Sequence, residues 1–244
     1  MLIEAAIYAA NLPGTPARFW PCLSDSIGLW ARGRRCAKAW AQHVAHTTGC
    51  LERTISRIEP RRTVVVLGSG PLFDVPLEAL AAAFETVILV DQAHLLPARR
   101  RASRFGNVRF EWRDLSAANT SQPLQFLHSI AALDWVISVN LVSQLAHGAP
   151  TGQERRVVDS HFDDLAGLRC AVTVVTDTAY QKVNRTGGVV EEFDLLHGRP
   201  MPVADRSWGW DVAPFGEEAP ALRRVHSVAF YGDWLRHNDR VTAS

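Results

Sequence analysis

The chain has 244 residues, of which 47% are hydrophobic and 21% are charged, so it can bury a sizeable core. Its 26 Lys and Arg nearly balance its 25 Asp and Glu, and the net charge of +1 gives no overall field toward nucleic acid or a membrane surface. The four cysteines form no CxxC pair and no metal-ligand spacing, which is typical of a reduced, cytoplasmic protein. The apolar stretch 2–10 is too short for a spanning helix and lacks the basic leader of a signal peptide.

Residues 1–60 are interpreted as an N-terminal connector and helical cap. The prolines of 11–23 exclude a regular helix there, and from Ser24 a helical pattern continues to just before residue 60. We expect one long helix, or a pair broken near Gly49, that packs on a sheet and partly covers a ligand cleft. Basic side chains off its apolar stripe are interpreted as a solvated face, with an anion-binding surface as the alternative.

His43, His46 and Cys50 on this helix could suggest a metal site. The segment offers no fourth ligand, so the pattern favours solvent-exposed helix residues. We therefore expect no metal ion to take part in the function.

The strongest pattern in the chain is Thr63–Asp91. An apolar, β-branched run at 64–67 suits a strand buried on both faces, and the turn Gly68-Ser69-Gly70 follows it directly. A helical segment at 75–84 leads to a second apolar run, 87–90, which ends on Asp91. Strand, glycine turn, helix, strand and acid are the first half of a nucleotide-binding α/β domain.

The acid and the glycine turn indicate what kind of nucleotide could bind. A carboxylate at the tip of the second strand can accept hydrogen bonds from both hydroxyls of a ribose, and glycines let a ligand lie against bare backbone. The ligand is therefore expected to contain an unphosphorylated ribose. The spacing fits NAD, FAD and S-adenosylmethionine alike.

The third strand also ends in a polar residue. A helix at 94–105 and an alternating strand at 108–112 are followed by Asp114 and Leu115. Asp114 can accept a hydrogen bond from the amine of an adenine ring, and Leu115 can give the ring an apolar contact. The alternative for Asp114 is a turn or helix cap.

The fourth strand repeats this arrangement. A helix at 121–132 leads to a strand at 134–139, and Asn140-Leu141 follows at the edge where open α/β sheets place their ligands. A helix at 152–167 and a strand at 170–176 complete the parallel part of the predicted sheet.

These motifs, in this order, resemble those of class I S-adenosylmethionine-dependent methyltransferases over about residues 60–180. The resemblance implies a Rossmann-like, mostly parallel seven-stranded sheet with helices on both faces, in a domain at 61–235 followed by a polar tail at 236–244. It also implies S-adenosylmethionine as the cofactor. The residues that would bind it are Gly68, Ser69, Gly70, Asp74, Asp91, Gln92, Asp114, Leu115, Asn140 and Leu141.

In that family, the glycine turn meets the methionine part of the cofactor and the acid after the second strand holds the ribose. The acid after the third strand meets the adenine, and the segment after the fourth strand faces the substrate and the methyl group. By position, these roles fall on Gly68 and Gly70, on Asp91, on Asp114 and on Asn140-Leu141.

Two positions depart from the family's first motif, which has an acid two places before the first glycine and a third glycine two places after the second. Here these positions are Val66 and Leu72. Asp74 or a backbone carbonyl would have to replace the acid that captures the cofactor's ammonium. A dinucleotide-binding motif fits no better, since Phe73 stands where its third glycine belongs.

The remaining chain is predicted to elaborate the substrate side. Strands at 180–183 and 189–193 flank a turn and form a hairpin, an aromatic, proline-rich loop spans 200–215, and the last strand is 225–231. The substrate-binding candidates are Tyr180, Trp208 and Trp210. The two tryptophans could equally cover the hydrophobic end of the sheet.

The predicted function is transfer of the methyl group of S-adenosylmethionine to a small molecule by direct displacement. A general base is needed only if the acceptor arrives protonated; the candidates are His147, His161 and Asp177, of which His161 fits a core histidine better. A small-molecule substrate is expected, with no nucleic-acid or membrane partner, and a homodimer is a candidate assembly. The alternatives are an NAD(P)-dependent oxidoreductase and a non-catalytic methyltransferase fold used for binding or regulation.

Overall fold

The computed structural model describes residues 2–116 and 122–237, and an eight-stranded sheet lies at its centre. In chain order the strands are β1 (Thr63–Leu67), β2 (Thr86–Asp91), β3 (Val108–Trp112), β4 (Leu133–Val139), β5 (Ala171–Asn184), β6 (Val189–Asp194), β7 (Arg206–Ala213) and β8 (Leu222–Tyr231). Their spatial order is β3-β2-β1-β4-β5-β8-β7, and β6 pairs with β5 outside this path. β1 to β5 are parallel, whereas β6, β7 and β8 run antiparallel to their neighbours. The predicted Rossmann-like, mostly parallel sheet is confirmed, with β6 added to a seven-stranded path.

Helices cover both faces of the sheet, as predicted. They are α1 (Leu2–Asn11), α2 (Leu23–Arg35), α3 (Ala37–Ile55), α4 (Leu77–Ala83), α5 (Leu96–Ala102), α6 (Val142–His147) and α7 (Glu154–Ala166). Because successive strand residues point to opposite faces, β1 packs Val64 and Val66 with α3, α4 and α5, and packs Val65 and Leu67 with α6 and α7. Among the described helices, none is long and apolar enough to cross a membrane.

The N-terminal segment forms a helical layer against the sheet. Within 11–23, after the last residue of α1, only two 3₁₀ helices occur, Leu12–Gly14 and Ala17–Cys22, in keeping with its prolines. The expected break in the long helical stretch lies at Cys36, between α2 and α3, and not near Gly49. α3 lies beside β7, where the Trp40 indole donates a hydrogen bond to the Val212 carbonyl at 3.1 Å.

Two predicted elements were wrong. In the described part of 121–132, which excludes residue 121, the only helix is the 3₁₀ helix Gln125–Ser129; Leu124 and Leu127 bury their side chains at its three-residue period. The predicted loop at 200–215 contains strand β7, because Trp208, Trp210 and Val212 alternate onto the face that α3 covers.

The antiparallel end of the sheet extends beyond the parallel strands. β4 pairs only with residues 171–175 of β5, and the rest of β5 continues between β6 and β8. The predicted hairpin is present: Asn184 closes its turn, where its side-chain Oδ1 accepts hydrogen bonds from the backbone N–H groups of Thr186 and Gly188. This extension forms a platform just past the carboxyl end of β4.

The turn after β1 keeps a left-handed backbone at the position where the family has its third glycine. Gly68 has φ 73° and Gly70 has φ 49°, which glycine adopts freely, but Leu72 has φ 63°. A leucine in this conformation is strained because its Cβ crowds the following carbonyl. Leu72 is only 1% exposed, so its packing holds the turn in shape.

We predict that Leu72→Gly is more stable than Leu72→Ala. In both variants, removal of the buried leucine side chain lowers the free energy of unfolding by about 2–5 kcal/mol. Alanine also pays about 1–2 kcal/mol for a left-handed backbone, and glycine does not. Urea denaturation of the two purified variants measures the difference.

Leu80, which is fully buried in α4, is the matched control. In this helix Leu80→Gly should be less stable than Leu80→Ala by about 1 kcal/mol. If alanine is the more stable substitute at both positions, Leu72 does not hold a left-handed backbone.

Candidate functional site

The acid at the end of β2 and the glycine turn after β1 are joined directly. Asp91 Oδ2 accepts a hydrogen bond from the Gly70 backbone N–H at 2.8 Å, and its Oδ1 accepts from the N–H groups of Gln92 at 2.7 Å and Ala93 at 3.3 Å. A carboxylate has about four acceptor positions, so about one remains on Oδ2. The half-buried carboxylate is thus fixed beside the turn and can still receive a ligand hydroxyl.

Gly68 lies at the closest approach between the turn and the end of β4. A Cβ at this position would be 2.9 Å from Leu141 Cβ and 3.0 Å from the Val139 carbonyl oxygen. No side chain fits there without moving backbone, and φ of 73° favours glycine as well. The side chain of Leu141, which is buried, forms the wall of the crevice opposite the turn.

The predicted adenine side lies at the end of β3. Gln92 Nε2 donates a hydrogen bond to Asp114 Oδ1 at 2.8 Å, so these two predicted residues are brought together. Asp114 also lines a cavity of about 700 Å³, within the range of small-molecule sites. Its other walls include Arg18, Phe19 and Phe126. Leu115 is buried in the core beside this region.

The 3₁₀ helix Ala17–Cys22 was not predicted to contribute to the site. It supplies Arg18 and Phe19 to the cavity, and Cys22 lies close enough to Asp114 and Asp91 to feel their charge. Burial, then these carboxylates together with Asp25, raises the pKa of the Cys22 thiol. The proline-rich sequence of this 3₁₀ helix did not indicate that it lies at the cavity, because its contacts there are with residues about ninety positions away in the chain.

A polar network lies at the end of β4. Asn140 Nδ2 donates a hydrogen bond to Asp74 Oδ2 at 2.5 Å and lies 3.1 Å from His43 Nε2. Asn140 has φ 46°, a left-handed conformation that asparagine tolerates better than most residues. The predicted residues Asp74 and Asn140 therefore lie together. His43 of α3, which was not predicted to belong to the site, lies beside them.

His43 is buried, at 2% exposure, and not solvent-exposed as expected from the sequence. Its ring stacks on Trp210 with centroids 4.0 Å apart, and its Nδ1 accepts a hydrogen bond from the Trp208 indole N–H at 3.1 Å. A neutral imidazole with Nδ1 as acceptor carries its proton on Nε2, which faces Asp74 Oδ2 at 3.6 Å. Cys50 is also buried, so the same correction applies to it. Spacing of three and four from Trp40 and Thr47 was the available signal for His43.

Hydrogen bonding decides the charge of Asp74, whose side chain is 20% exposed. Burial raises the pKa of its carboxyl, but hydrogen bonds from His43 and Asn140 outweigh burial and leave the pKa below its ordinary value. A carboxylate is thus held at the end of β4, a position suited to binding a cationic group. The described residues contain no cluster of ligands that could hold a metal ion.

The three predicted base candidates lie in different places. His147 is exposed at the end of α6, roughly 8 Å along the helix from its start. His161 lies on the sheet face that α7 covers, opposite to α3. Its Nε2 is 2.9 Å from Ser138 Oγ, and burial lowers its pKa to about 4. Asp177 lies just past the carboxyl end of β4 and contacts His226 Nδ1 at 2.7 Å. Of the three, Asp177 lies on the α3 side near Trp210.

No family model and no curated protein matches this chain. Several solved structures are similar in fold. One is the N-methyltransferase NodS from Bradyrhizobium japonicum WM9, in complex with S-adenosyl-L-homocysteine, at 16% identity and TM-score 0.41 over 76% of this chain and 85% of NodS. A second is 1,6-didemethyltoxoflavin-N1-methyltransferase from Burkholderia thailandensis, at 15% identity and TM-score 0.36 over 82% and 87%. A third is an rRNA methylase from Streptococcus thermophilus, at 12% identity and TM-score 0.36 over 74% and 94%.

These similarities are distant, and the fold of this chain rests on its own strand order and register. One of these proteins is named for a small-molecule substrate and another for rRNA.

We predict that Asp74→Asn makes stability less dependent on pH in acid. Because folding lowers the pKa of Asp74, its ionised form adds stability above the unfolded value of about 3.9. This contribution is lost as the pH falls through the lower, folded-state pKa. Urea denaturation between about pH 5 and pH 2 should show wild type losing more stability than Asp74→Asn.

Glu52→Gln, at an exposed position of α3, controls for the loss of one carboxylate. Parallel stability curves for wild type and Asp74→Asn over this range would contradict the assigned hydrogen bonding.

Proposed function

We propose that this protein binds S-adenosylmethionine across the carboxyl ends of β1, β2 and β3 and transfers its methyl group to a small molecule. The observation that carries the proposal is the joined pair of Asp91 and the glycine turn, with the Gly70 N–H 2.8 Å from the carboxylate. Bare backbone and an acid suited to a ribose lie together, and Gln92, next to Asp91, is hydrogen-bonded to Asp114, which lines a cavity. These are the contacts that an adenosyl group with a short charged tail needs.

The residues fit the parts of the cofactor in order. Asp91 would accept a ribose hydroxyl, and the Gln92–Asp114 pair would meet the adenine edge. The buried hydroxyl of Ser69 and the buried Oδ1 of Asn140 have no hydrogen-bond partner among the described residues. A ligand that carries both a carboxylate and an ammonium satisfies one donor and one acceptor there, since a hydroxyl can donate and an amide oxygen accepts.

Asp74 supports the ammonium contact that Val66 cannot make. Val66 is fully buried in the core, so its position is closed to any ligand. Asp74 reaches the end of β4 from the segment after the turn, and its pKa is held low by hydrogen bonds. A carboxylate that stays ionised near neutral pH is suited to an ammonium group.

S-adenosylmethionine, when bound, supplies a methyl group on a sulfonium, from which a neutral sulfide leaves readily. The protein's own part would be mainly positioning: the turn and Asp91 would fix one reactant, and half-buried Trp208 and buried Trp210 would exclude water from the other. His43 and Asn140 hold the carboxylate of Asp74 in place.

The charge distribution of this chain favours a small-molecule acceptor over RNA. The net charge of +1 offers no broad positive field for phosphates. Arg32, which lies on the face toward the antiparallel extension, contacts Glu217 and Glu218, and Arg224 contacts Glu218. Arginines on this side are therefore paired with acids of the same chain.

A non-catalytic binding role is the second candidate, and one observation favours it. Val66 and Leu72 stand where the first motif has an acid and a third glycine, and both side chains are buried in the core. A fold retained for partner binding could lose these two cofactor positions in this way. It would not require Asp91 to bind a nucleoside.

The proposal predicts that S-adenosylhomocysteine binds and that Asp91→Ala weakens binding at least about tenfold, since a hydrogen bond to a charged group contributes about 1.5–3 kcal/mol. Isothermal titration calorimetry with the purified protein is the measurement. Asp91→Asn keeps the side-chain shape and one acceptor oxygen, so it separates loss of the charge from loss of the whole side chain.

Asp163→Ala on α7, whose side chain is 73% exposed, is the matched control and should bind like wild type. Titration with NADH tests the oxidoreductase alternative on the same sample. The proposal is rejected if S-adenosylhomocysteine does not bind at millimolar concentration, or if Asp91→Ala binds it as wild type does.

A further inference from the structure

A row of aromatic rings leads from the outer edge of the antiparallel extension to the polar network at β4. Phe193 on β6, which is 43% exposed, stacks on Tyr180 of β5 at 5.5 Å, and Tyr180 stacks on His226 of β8 at 5.7 Å. His226 contacts Trp210 edge-on at 5.9 Å, and Trp210 stacks on His43 at 4.0 Å. We call these five rings the aromatic shelf. Its outer end is open to solvent and its inner end lies beside Asn140.

His226 of the shelf forms a buried pair with Asp177. Asp177 Oδ2 lies 2.7 Å from His226 Nδ1, and a carboxylate can only accept, so Nδ1 carries the shared proton. The other ring nitrogen, Nε2, is then left as an acceptor on the far side of the ring. The described residues give this atom no hydrogen-bond partner, although His226 is only 8% exposed.

A matching donor lies on the neighbouring strand. Trp210 is the cross-strand partner of His226, and its indole N–H is also buried without a partner among the described residues. One unpartnered acceptor and one unpartnered donor therefore lie on adjacent rings, whose centroids are 5.9 Å apart. A hydroxyl group satisfies both, since it donates one hydrogen bond and accepts another. A ring N–H or an ammonium could satisfy only the acceptor.

We propose that the aromatic shelf binds a planar aromatic acceptor by its ring face, and that the Asp177–His226 pair removes the proton of its phenolic hydroxyl. The inference rests on the proposed methyl transfer and names its substrate class. Stacked and edge-on rings favour a flat aromatic partner. A buried histidine oriented by a carboxylate is the arrangement of a general base.

The step balances within this site. The phenolic O–H bond breaks and an N–H bond forms at His226 Nε2, while Asp177 stabilises the resulting imidazolium. With S-adenosylmethionine bound, the phenolate oxygen would form a bond to the methyl carbon as the carbon–sulfur bond breaks, and the electron pair would stay on sulfur. The products would be an aryl methyl ether, S-adenosylhomocysteine and a protonated His226, which returns its proton to water.

The test uses 4-nitrophenol, whose phenolate absorbs at longer wavelength than its neutral form, together with 4-nitroanisole, which lacks the hydroxyl. At a pH where free 4-nitrophenol is mostly neutral, wild-type protein should produce the phenolate band on binding. 4-Nitroanisole should compete for the same site and produce no such band. The measurement needs no cofactor and no turnover.

The variants separate the base from the stacking surface. His226→Gln keeps a side-chain donor toward Asp177 but has no basic nitrogen, so it should abolish the phenolate band. Tyr180→Leu leaves Asp177 and His226 in place and should weaken binding about twofold to tenfold through lost stacking. His237→Gln is the matched control: His237 pairs with Asp205 at 3.0 Å but packs on Tyr231, at the opposite face of the sheet.

The inference is overturned if wild type gives no phenolate band, if His226→Gln gives the wild-type band, or if His237→Gln abolishes it equally. Thermal melts of each variant show whether a lost phenolate band results from misfolding. If His226→Gln misfolds, binding of 4-nitrophenol to Tyr180→Leu tests the proposal independently. Calorimetric titration of the same samples with S-adenosylhomocysteine measures cofactor binding separately from binding of 4-nitrophenol at the shelf. A phenolate band without cofactor binding would support the shelf and reject the methyltransferase function.

Discussion

The hydrogen bond between the Gly70 N–H and the Asp91 carboxylate is the interaction on which the candidate site depends. The register of the sheet makes it available, since β1 and β2 are parallel neighbours and pair Leu67 with Val90, one residue before Asp91. Parallel strands end at the same edge, so a turn after one strand necessarily lies beside an acid after the next. Leu72 is strained by its left-handed backbone, and its buried side chain holds the turn in place. The shape of the crevice is therefore fixed mainly by backbone and core.

The N-terminal layer completes the site from the other side. The 3₁₀ helix Ala17–Cys22 borders the proposed adenine end near Asp114, while α3 brings His43 to Asn140 at the proposed methyl end. The ion pair between Arg35 and Glu217 at 2.6 Å links this layer to the extension, but exposed pairs contribute little to stability. Apolar packing of Trp40, along with the rest of the α3 stripe, holds the layer more firmly. Both ends of the site thus depend on contacts between segments that are remote in sequence.

The sequence predicted the parallel sheet well because β1 and β2 are uniformly apolar and the glycine turn is local. It also predicted that Asp74 and Asn140 belong to one site, although the resemblance carried that inference more than their spacing. His43 was predicted to be solvent-exposed because its partner Trp208 lies 165 residues away in the chain, and only folding brings the two together. Strand β7 was missed for a related reason: prolines and glycines around it signalled a loop, and pairing with β8 overrode that local preference.

Buried polar atoms without partners favour a ligand-binding role over an inert scaffold. Each such atom destabilises a protein by about 1–3 kcal/mol, a large share of a total stability of about 5–15 kcal/mol. Such atoms also occur elsewhere in the described residues, for example at Trp112 and Trp234. Around the crevice and shelf, however, Asn140, Trp210 and His226 present donors and acceptors that complement a polar ligand. A scaffold that only packs against a partner gains nothing from a histidine that a carboxylate orients and whose other nitrogen is unpaired, whereas the proposed deprotonation of a hydroxyl uses that nitrogen as its base.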